Sequence, residues 1–195
     1  MPKIVDHDTR REEIAEALWR VVRRDGIRAA SVRTIAAEAG WSAGAVRYYF
    51  PDQDGLLSFA MDLVTRRVTE RVGALQSKGD PVNVVLRYLE QVIPLDADRR
   101  AEFDVWLAFM AQAQAETGAG GLRAHVDKVH DDLRQLCEEL LRSLQLRADV
   151  DLRQEIERLH ALVDGLSLHA AIQPERTTAT RARQILRHHL EDLLA

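Results

Sequence analysis

Residues 31–50 read Ser31-Val-Arg-Thr-Ile-Ala-Ala-Glu-Ala-Gly40 and then Trp41-Ser-Ala-Gly-Ala-Val-Arg-Tyr-Tyr-Phe50. Two short helical periodicities meet there at a glycine. Val32, Ile35, Ala36 and Ala39 share one face of a helix that Ser31 can cap, and Ser42 can cap a shorter helix over about Ala43 to Tyr49. Gly40 between them takes the left-handed cap conformation without a Cβ penalty. Ala36, Ala39 and Ala43 keep the two helices thin enough to pack closely, with Val32, Ile35 and Val46 as their small core. Pro51 disfavours further helix at Phe50. Two short helices joined by a glycine turn are what a helix-turn-helix needs: the first braces the second, whose N-terminal residues enter the major groove.

On that reading the expected partner is double-stranded DNA. The spacing turns Ser42, Ala43, Ala45, Arg47 and Tyr48 outward. Arg47 suits a guanine edge or a phosphate, and Ala43 and Ala45 suit thymine methyl groups. Ser31, Arg33, Thr34 and Tyr49 are polar groups of the kind that fix register on phosphates. Trp41, directly after the turn, either packs inside or lies against the DNA backbone.

Working outward, every other segment is also helical. Thr9-x-x-Glu12 reads as a capping box for a first helix striped by Ile14, Leu18, Val21 and Val22 and stopped by Gly26. Further helices are expected over about 54–72, then around Val84–Val92, 98–117, from Leu122 to Leu144, 152–169 and 178–194. Breaks fall at Lys78–Pro81 and Gly118–Gly121. No alternating strand pattern appears, so the expected fold is all-α: a three-helix head over 1–53 continuous with a roughly six-helix body over 54–195. Apolar residues at 46% and charged residues at 30% exclude a disordered chain. The net charge is −4, yet basic side chains outnumber acidic ones over residues 1–50 and acidic ones predominate afterwards. A basic head lets phosphate attract one end only. A single cysteine, Cys137, excludes an internal disulfide and fits a reducing, cytoplasmic setting. No apolar run approaches the ~20 residues of a membrane span, so no membrane association is expected.

Several stretches together resemble the TetR family of one-component regulators: Arg11-x-x-Ile14, Asp25-Gly26-Ile27, the whole of 31–50, and the pair Leu56-Leu57. The resemblance is specific over about residues 9–60. Further on, Pro94-Leu-Asp-Ala-Asp-Arg-Arg-Ala-Glu-Phe-Asp-Val-Trp-Leu-Ala-Phe109 and Leu162-Val-Asp-Gly-Leu166 resemble the branch typified by the betaine-pathway repressor. The resemblance implies a homodimer paired through its last two helices on a palindromic operator. It also implies a small-molecule effector, bound in the body, that releases the DNA. One departure stands out: the loop after the aromatic cluster, where the family usually offers a lysine to phosphate, reads Pro51-Asp52-Gln53-Asp54.

In the body, the stripes Leu159, Val163, Leu166 and Leu186, Leu190, Leu193 are the expected dimer surface, although an intramolecular core has the same period. Met61, Phe103, Trp106, Phe109, Met110 and His130 are candidate walls of the effector pocket, with ordinary core packing as the alternative. His125, His160, Asp164 and His169 are further polar groups near them. Cys137 reads as buried packing. The competing class is a helical-bundle metalloenzyme built on Glu157-x-x-His160, but such a site needs two of these pairs and only one occurs. No enzymatic activity, metal or cofactor is expected.

Overall fold

A computed structural model describes residues 7–115 and 121–195. Among them lie nine α-helices and a 3-10 turn: α1 (His7–Asp25), the turn Ile27–Ala29, α2 (Val32–Ala39), α3 (Ala43–Tyr49), α4 (Gln53–Gly73), α5 (Pro81–Leu89), α6 (Ala97–Ala115), α7 (Gly121–Arg142), α8 (Leu152–Ile172) and α9 (Ala179–Glu191). The only extended pairing among the described residues is an isolated antiparallel bridge, Leu146 with Leu194. The all-α expectation holds.

Local signals set most boundaries. Ser31 caps α2 with a full capping box in which Thr34 answers, and Gly40 ends the helix at φ 71. A β-carbon there would strain the backbone even though nothing crowds the site. Ser42 caps α3, Asp52 caps α4, and Asp80 caps α5 with Pro81 inside the first turn. Asp151 and Thr178 cap α8 and α9. Three expectations need correcting. Helix α1 already runs at His7, so Thr9 and Glu12 lie inside it and form no capping box at its start. Helix α8 continues to Ile172, because no breaker precedes Gln173-Pro174. Helix α9 stops at Glu191, and the tail folds back so that Arg147 donates its N–H to Leu193 O at 3.0 Å. The expected break at Gly118–Gly120 and the end of the sixth helix at Thr117 lie outside the described residues.

Two apolar cores organise the molecule. The first joins Ile14, Leu18 and Val21 of α1, Ile35 of α2, Val46 of α3, Leu56, Met61 and Val64 of α4, Val105 and Phe109 of α6, and Val126 of α7. It crosses residue 53 without interruption, so head and body share one packed interior. The second joins α5, the C-terminal half of α7, α8 and α9 through Leu86, Leu89, Cys137, Leu141, Leu159, Val163, Leu186 and Leu190. Each of these leucines is nearly or wholly shielded, and burying one contributes roughly 1.5–3 kcal/mol.

A candidate DNA interface and a cavity in the body

Helix α3 stands out from the first core on one buried residue, Val46, leaving Ser42, Ala43, Arg47 and Tyr48 exposed and Ala45 half-exposed. Tyr48 is 75% exposed, a costly position for a ring unless a partner covers it. Arg33 of α2 is exposed on the same part of the chain, and neither it nor Arg47 makes an ion pair among the described residues. Trp41 is half-buried: Arg10 of α1 lies 4.5 Å over its ring and Tyr49 packs 6.2 Å away. Arg10 was invisible to sequence reasoning, because only the crossing of α1 over the turn brings it there. Arg20 and Arg24 of α1 grip Glu38 of α2 at 2.8 and 2.9 Å. The Arg20 guanidinium, and then that of Arg24, holds the Glu38 carboxyl below the usual range.

Two expected phosphate contacts change character. Thr34 directs its single hydroxyl hydrogen at the Ala29 carbonyl, 2.7 Å away, and accepts the Ser31 N–H. Ser31 Oγ in turn accepts the Thr34 N–H at 3.2 Å. Both hydroxyls build the helix start. The side chain of Gln53, which bears on the missing loop lysine, lies outside the described residues.

A cavity of about 210 Å³ opens between the two cores. Met61, Val64, Thr65 and Val68 of α4 form one wall, Phe103 and Trp106 of α6 a second, and Val129, His130 and Leu133 of α7 with Asp164 and Ser167 of α8 the rest. The lining is mostly apolar, with three carboxylates and the Arg99 guanidinium, which Asp96 holds at 2.8 Å. Glu102 is held by Arg71 at 2.5 Å and Asp132 by Lys128 at 2.6 Å. Asp164 has no Arg or Lys partner among the described residues and faces His160 at 3.5 Å and, within 4.8 Å, His130, so its charge is the least compensated. Thr65 Oγ1 is buried without a hydrogen-bond partner.

Of the expected pocket residues, Met61, Phe103, Trp106 and His130 line this cavity. Phe109 and Met110 do not. Phe109 is fully buried one turn further along α6, packed 5.1 Å from His125, and Met110 supports the same core. Glu102, Thr65 and Ser167 were missed; nothing in a helical sequence marks a polar residue as facing a void. The expected dimer residues Leu159, Val163, Leu166, Leu186, Leu190 and Leu193 are at most 6% exposed within this one chain, where they pack in the second core. The Glu157–His160 pair is split: Glu157 accepts from Arg134 Nε at 2.7 Å on the surface, while His160 packs against His130.

A short exposed helix braced by a capped neighbour, on a helical body with a mostly apolar cavity, defines a DNA-binding regulator with a ligand site. Two family descriptions match: bacterial regulatory proteins of the tetR family over residues 14–58, and the BetI-type transcriptional repressor C-terminal region over residues 81–195. The chain belongs to the TetR family and is a DNA-binding transcription regulator. It is 41% identical over 194 residues to the HTH-type transcriptional regulator PksA of Bacillus subtilis (strain 168), covering 99% of this chain and 94% of that one. A transcriptional regulator from Rhodococcus sp. RHA1 has the same fold, with a TM-score of 0.78 at 27% identity over 94% of this chain and 95% of its own. A regulator from Saccharomonospora viridis, solved in complex with choline, gives 0.79 at 25% identity over 94% and 96%. Among the described residues no helix is long and apolar enough to cross a membrane.

Proposed function

We propose that the chain is a cytoplasmic repressor that binds a palindromic operator as a homodimer and releases it when a compact organic cation enters the cavity. Residues 1–53 serve as the reading head and 54–195 as the sensing and dimerising body. The observation that carries this reading is the course of α4. Near its start Phe59 packs 4.6 Å from Phe50 at the end of the reading helix, and over the next two and a half turns Met61, Val64, Thr65 and Val68 wall the cavity. Anything that displaces that wall moves the head. Arg47 and Ser42 read base edges, Ala43 and Ala45 meet thymine methyl groups, and Arg33, Tyr48 and Tyr49 hold phosphates.

The cavity favours a cation for electrostatic reasons. Asp164 supplies an undercompensated charge, Trp106 offers a ring face, and Thr65 supplies an unused hydroxyl. At about 210 Å³ it lies below the roughly 300–1,000 Å³ of drug-sized sites, which selects a small ligand. The choline held by the Saccharomonospora viridis relative is of this chemistry. The dimer surface is the outward face of α8, where Leu168 and Ile172 are exposed at 41% and 65% beside the open position at Gly165. With Tyr48 they are the exposed large apolar side chains among the described residues, so both surfaces expected to be covered in the working complex carry them.

The test is operator affinity, on the intergenic DNA beside the gene, with and without choline and larger quaternary amines. A tenfold release needs only ~1.4 kcal/mol of differential binding. Trp106→Ala should keep effector-free affinity and lose release. An uncharged ligand of the same shape releasing DNA equally well would refute the cation reading, and unaltered binding to every fragment would refute the operator reading.

A further inference from the structure

At one edge of the cavity stand three groups that the effector reading does not use as a set. His130 of α7 and His160 and Asp164 of α8 each offer one donor atom, and the three atoms lie within 4.8 Å of one another. His160 and Asp164 are four residues apart and so project from the same face of α8. The His160 Nε2–Asp164 Oδ2 separation is 3.5 Å, longer than a hydrogen bond, and His160 Nε2 is buried without a hydrogen-bond partner. A buried ring nitrogen that carries no hydrogen bond is a cost unless something else satisfies it.

We infer that His130, His160 and Asp164 form a binding site for a divalent transition metal of the zinc class, with its remaining coordination position open to the cavity. The geometry is already close. Zinc binds nitrogen and carboxylate oxygen at ~2.0–2.2 Å, so neighbouring ligand atoms of a tetrahedral site stand about 3.4 Å apart. The His160–Asp164 pair is at that spacing now. Only His130 must approach, and its ring, packed 5.6 Å from His160 and 5.7 Å from Trp106, moves by side-chain rotation. Asp164 is half-exposed, which gives the ion an entry path. Two imidazoles with a single carboxylate select zinc, nickel or copper over calcium and magnesium, which need mostly oxygen donors. Three protein ligands and an open position are the arrangement of a site that exchanges a fourth ligand rather than of a closed structural one. The metal would also tie α7 to α8 beside the wall contributed by α4.

The experiment titrates the chelator-stripped full chain with Zn²⁺ and, separately, with Co²⁺, whose visible absorption reports nitrogen and oxygen ligation. One equivalent per chain with a four- or five-coordinate Co²⁺ spectrum is expected. His130→Gln, His160→Gln and Asp164→Asn should each weaken binding at least tenfold, the lower end of the ~10–100-fold that loss of an outer-shell partner alone costs. Asp164→Asn, at a half-exposed position, keeps the test valid if a histidine variant fails to fold. His188 and Asp192 form a similarly spaced pair on the exposed face of α9, 3.6 Å apart, and provide the control. His188→Gln should change nothing. Absence of stoichiometric binding to wild type, unchanged affinity in folded Asp164→Asn, or loss of binding in His188→Gln would each overturn the site. A metal on Asp164 and the proposed organic cation would compete for one carboxylate, so the titrations are run without effector, and none of their outcomes depends on operator or effector binding.

Discussion

Arg71 and Glu102 join the last turn of α4 to α6 at the rim of the cavity. Arg71 Nη1 donates to Glu102 Oε1 at 2.5 Å and Nη2 to Oε2 at 2.6 Å, while Nη2 also reaches the Gln91 carbonyl at 3.2 Å. The two side chains are not buried alike: that of Glu102 is 6% exposed and that of Arg71 30%, although Arg71 Nε is itself buried. That asymmetry decides which deletion costs more. Breaking a buried pair by removing one partner typically costs roughly 3–5 kcal/mol, because a charge is left without compensation. Arg71→Met strands a largely shielded carboxylate that only the cavity can hydrate, so the lower part of the range, about 3–4 kcal/mol, is expected. Glu102→Leu leaves a guanidinium on a long stem that can turn outward, which reduces the loss to roughly 1–2 kcal/mol. The double variant leaves no buried charge and should recover most of the Arg71→Met loss. Urea unfolding followed by circular dichroism, at one fixed chain concentration, measures all four proteins. Glu102→Leu proving the costlier single change, or strictly additive losses in the double variant, would refute the argument.

Other outcomes follow from the same structure. Arg47→Ala should weaken operator binding by ~1–3 kcal/mol if it reads a guanine, or lower the salt slope by about 1 per subunit if it holds a phosphate, with helicity unchanged in either case. Leu168→Asp or Ile172→Asp should yield folded monomers in sedimentation, whereas Leu186→Asp should unfold the chain, since Leu186 is fully buried within it. Burial lowers the pKa of His189 below its ordinary 6.5, opposed by Glu155 and Asp192 and reinforced by Arg158. The unfolded chain therefore takes up that proton first, and this contribution to stability is complete above pH 6.5 and lost as pH falls below it. The wild-type minus His189→Gln difference in unfolding free energy should decline over that window and nowhere above it. Burial first, with Asp164 and Glu157 nearby, pushes the Cys137 thiol up to about 12, so it should resist alkylation until the protein is unfolded.

The head was legible because its signals are local. Ser31, Gly40 and Ser42 fix their own backbone conformations, and a cap or a left-handed glycine means the same wherever the chain goes next. The body was legible as helices and not as surfaces. Trp106 and Phe109 sit three residues apart on α6, and periodicity places both inward, yet one faces the cavity and the other is sealed in the first core. The stripe Leu159, Val163, Leu166 has the same period whether its partner is α9 of the same chain or α8 of another. What would have separated the cases is the opposite face, where Ala161, Gly165, Leu168 and Ile172 lie four, then three, then four residues apart. A helix with two apolar stripes has two surfaces to cover, and on the second of them Leu168 and Ile172 stand exposed in this chain.

Under the function proposed above, the position of the cavity explains how so small a void governs a distant helix. It lies where the two cores meet, so its walls belong to both: α4 and α6 are anchored in the core that holds the reading head, and α8 in the core that holds the dimer face. Tightly packed interiors do not deform continuously, and a ligand that wedges the walls apart therefore moves one core against the other as a body. The reading head travels with the first core, because Leu18, Ile35, Val46 and Leu56 share it, while the dimer face fixes the second. Operator binding needs both heads of a dimer at one spacing, so a change in the angle between the cores is read directly as lost affinity. The energy required is small. Burying two additional methylenes in the opened arrangement supplies ~1.6 kcal/mol, enough for more than a tenfold shift.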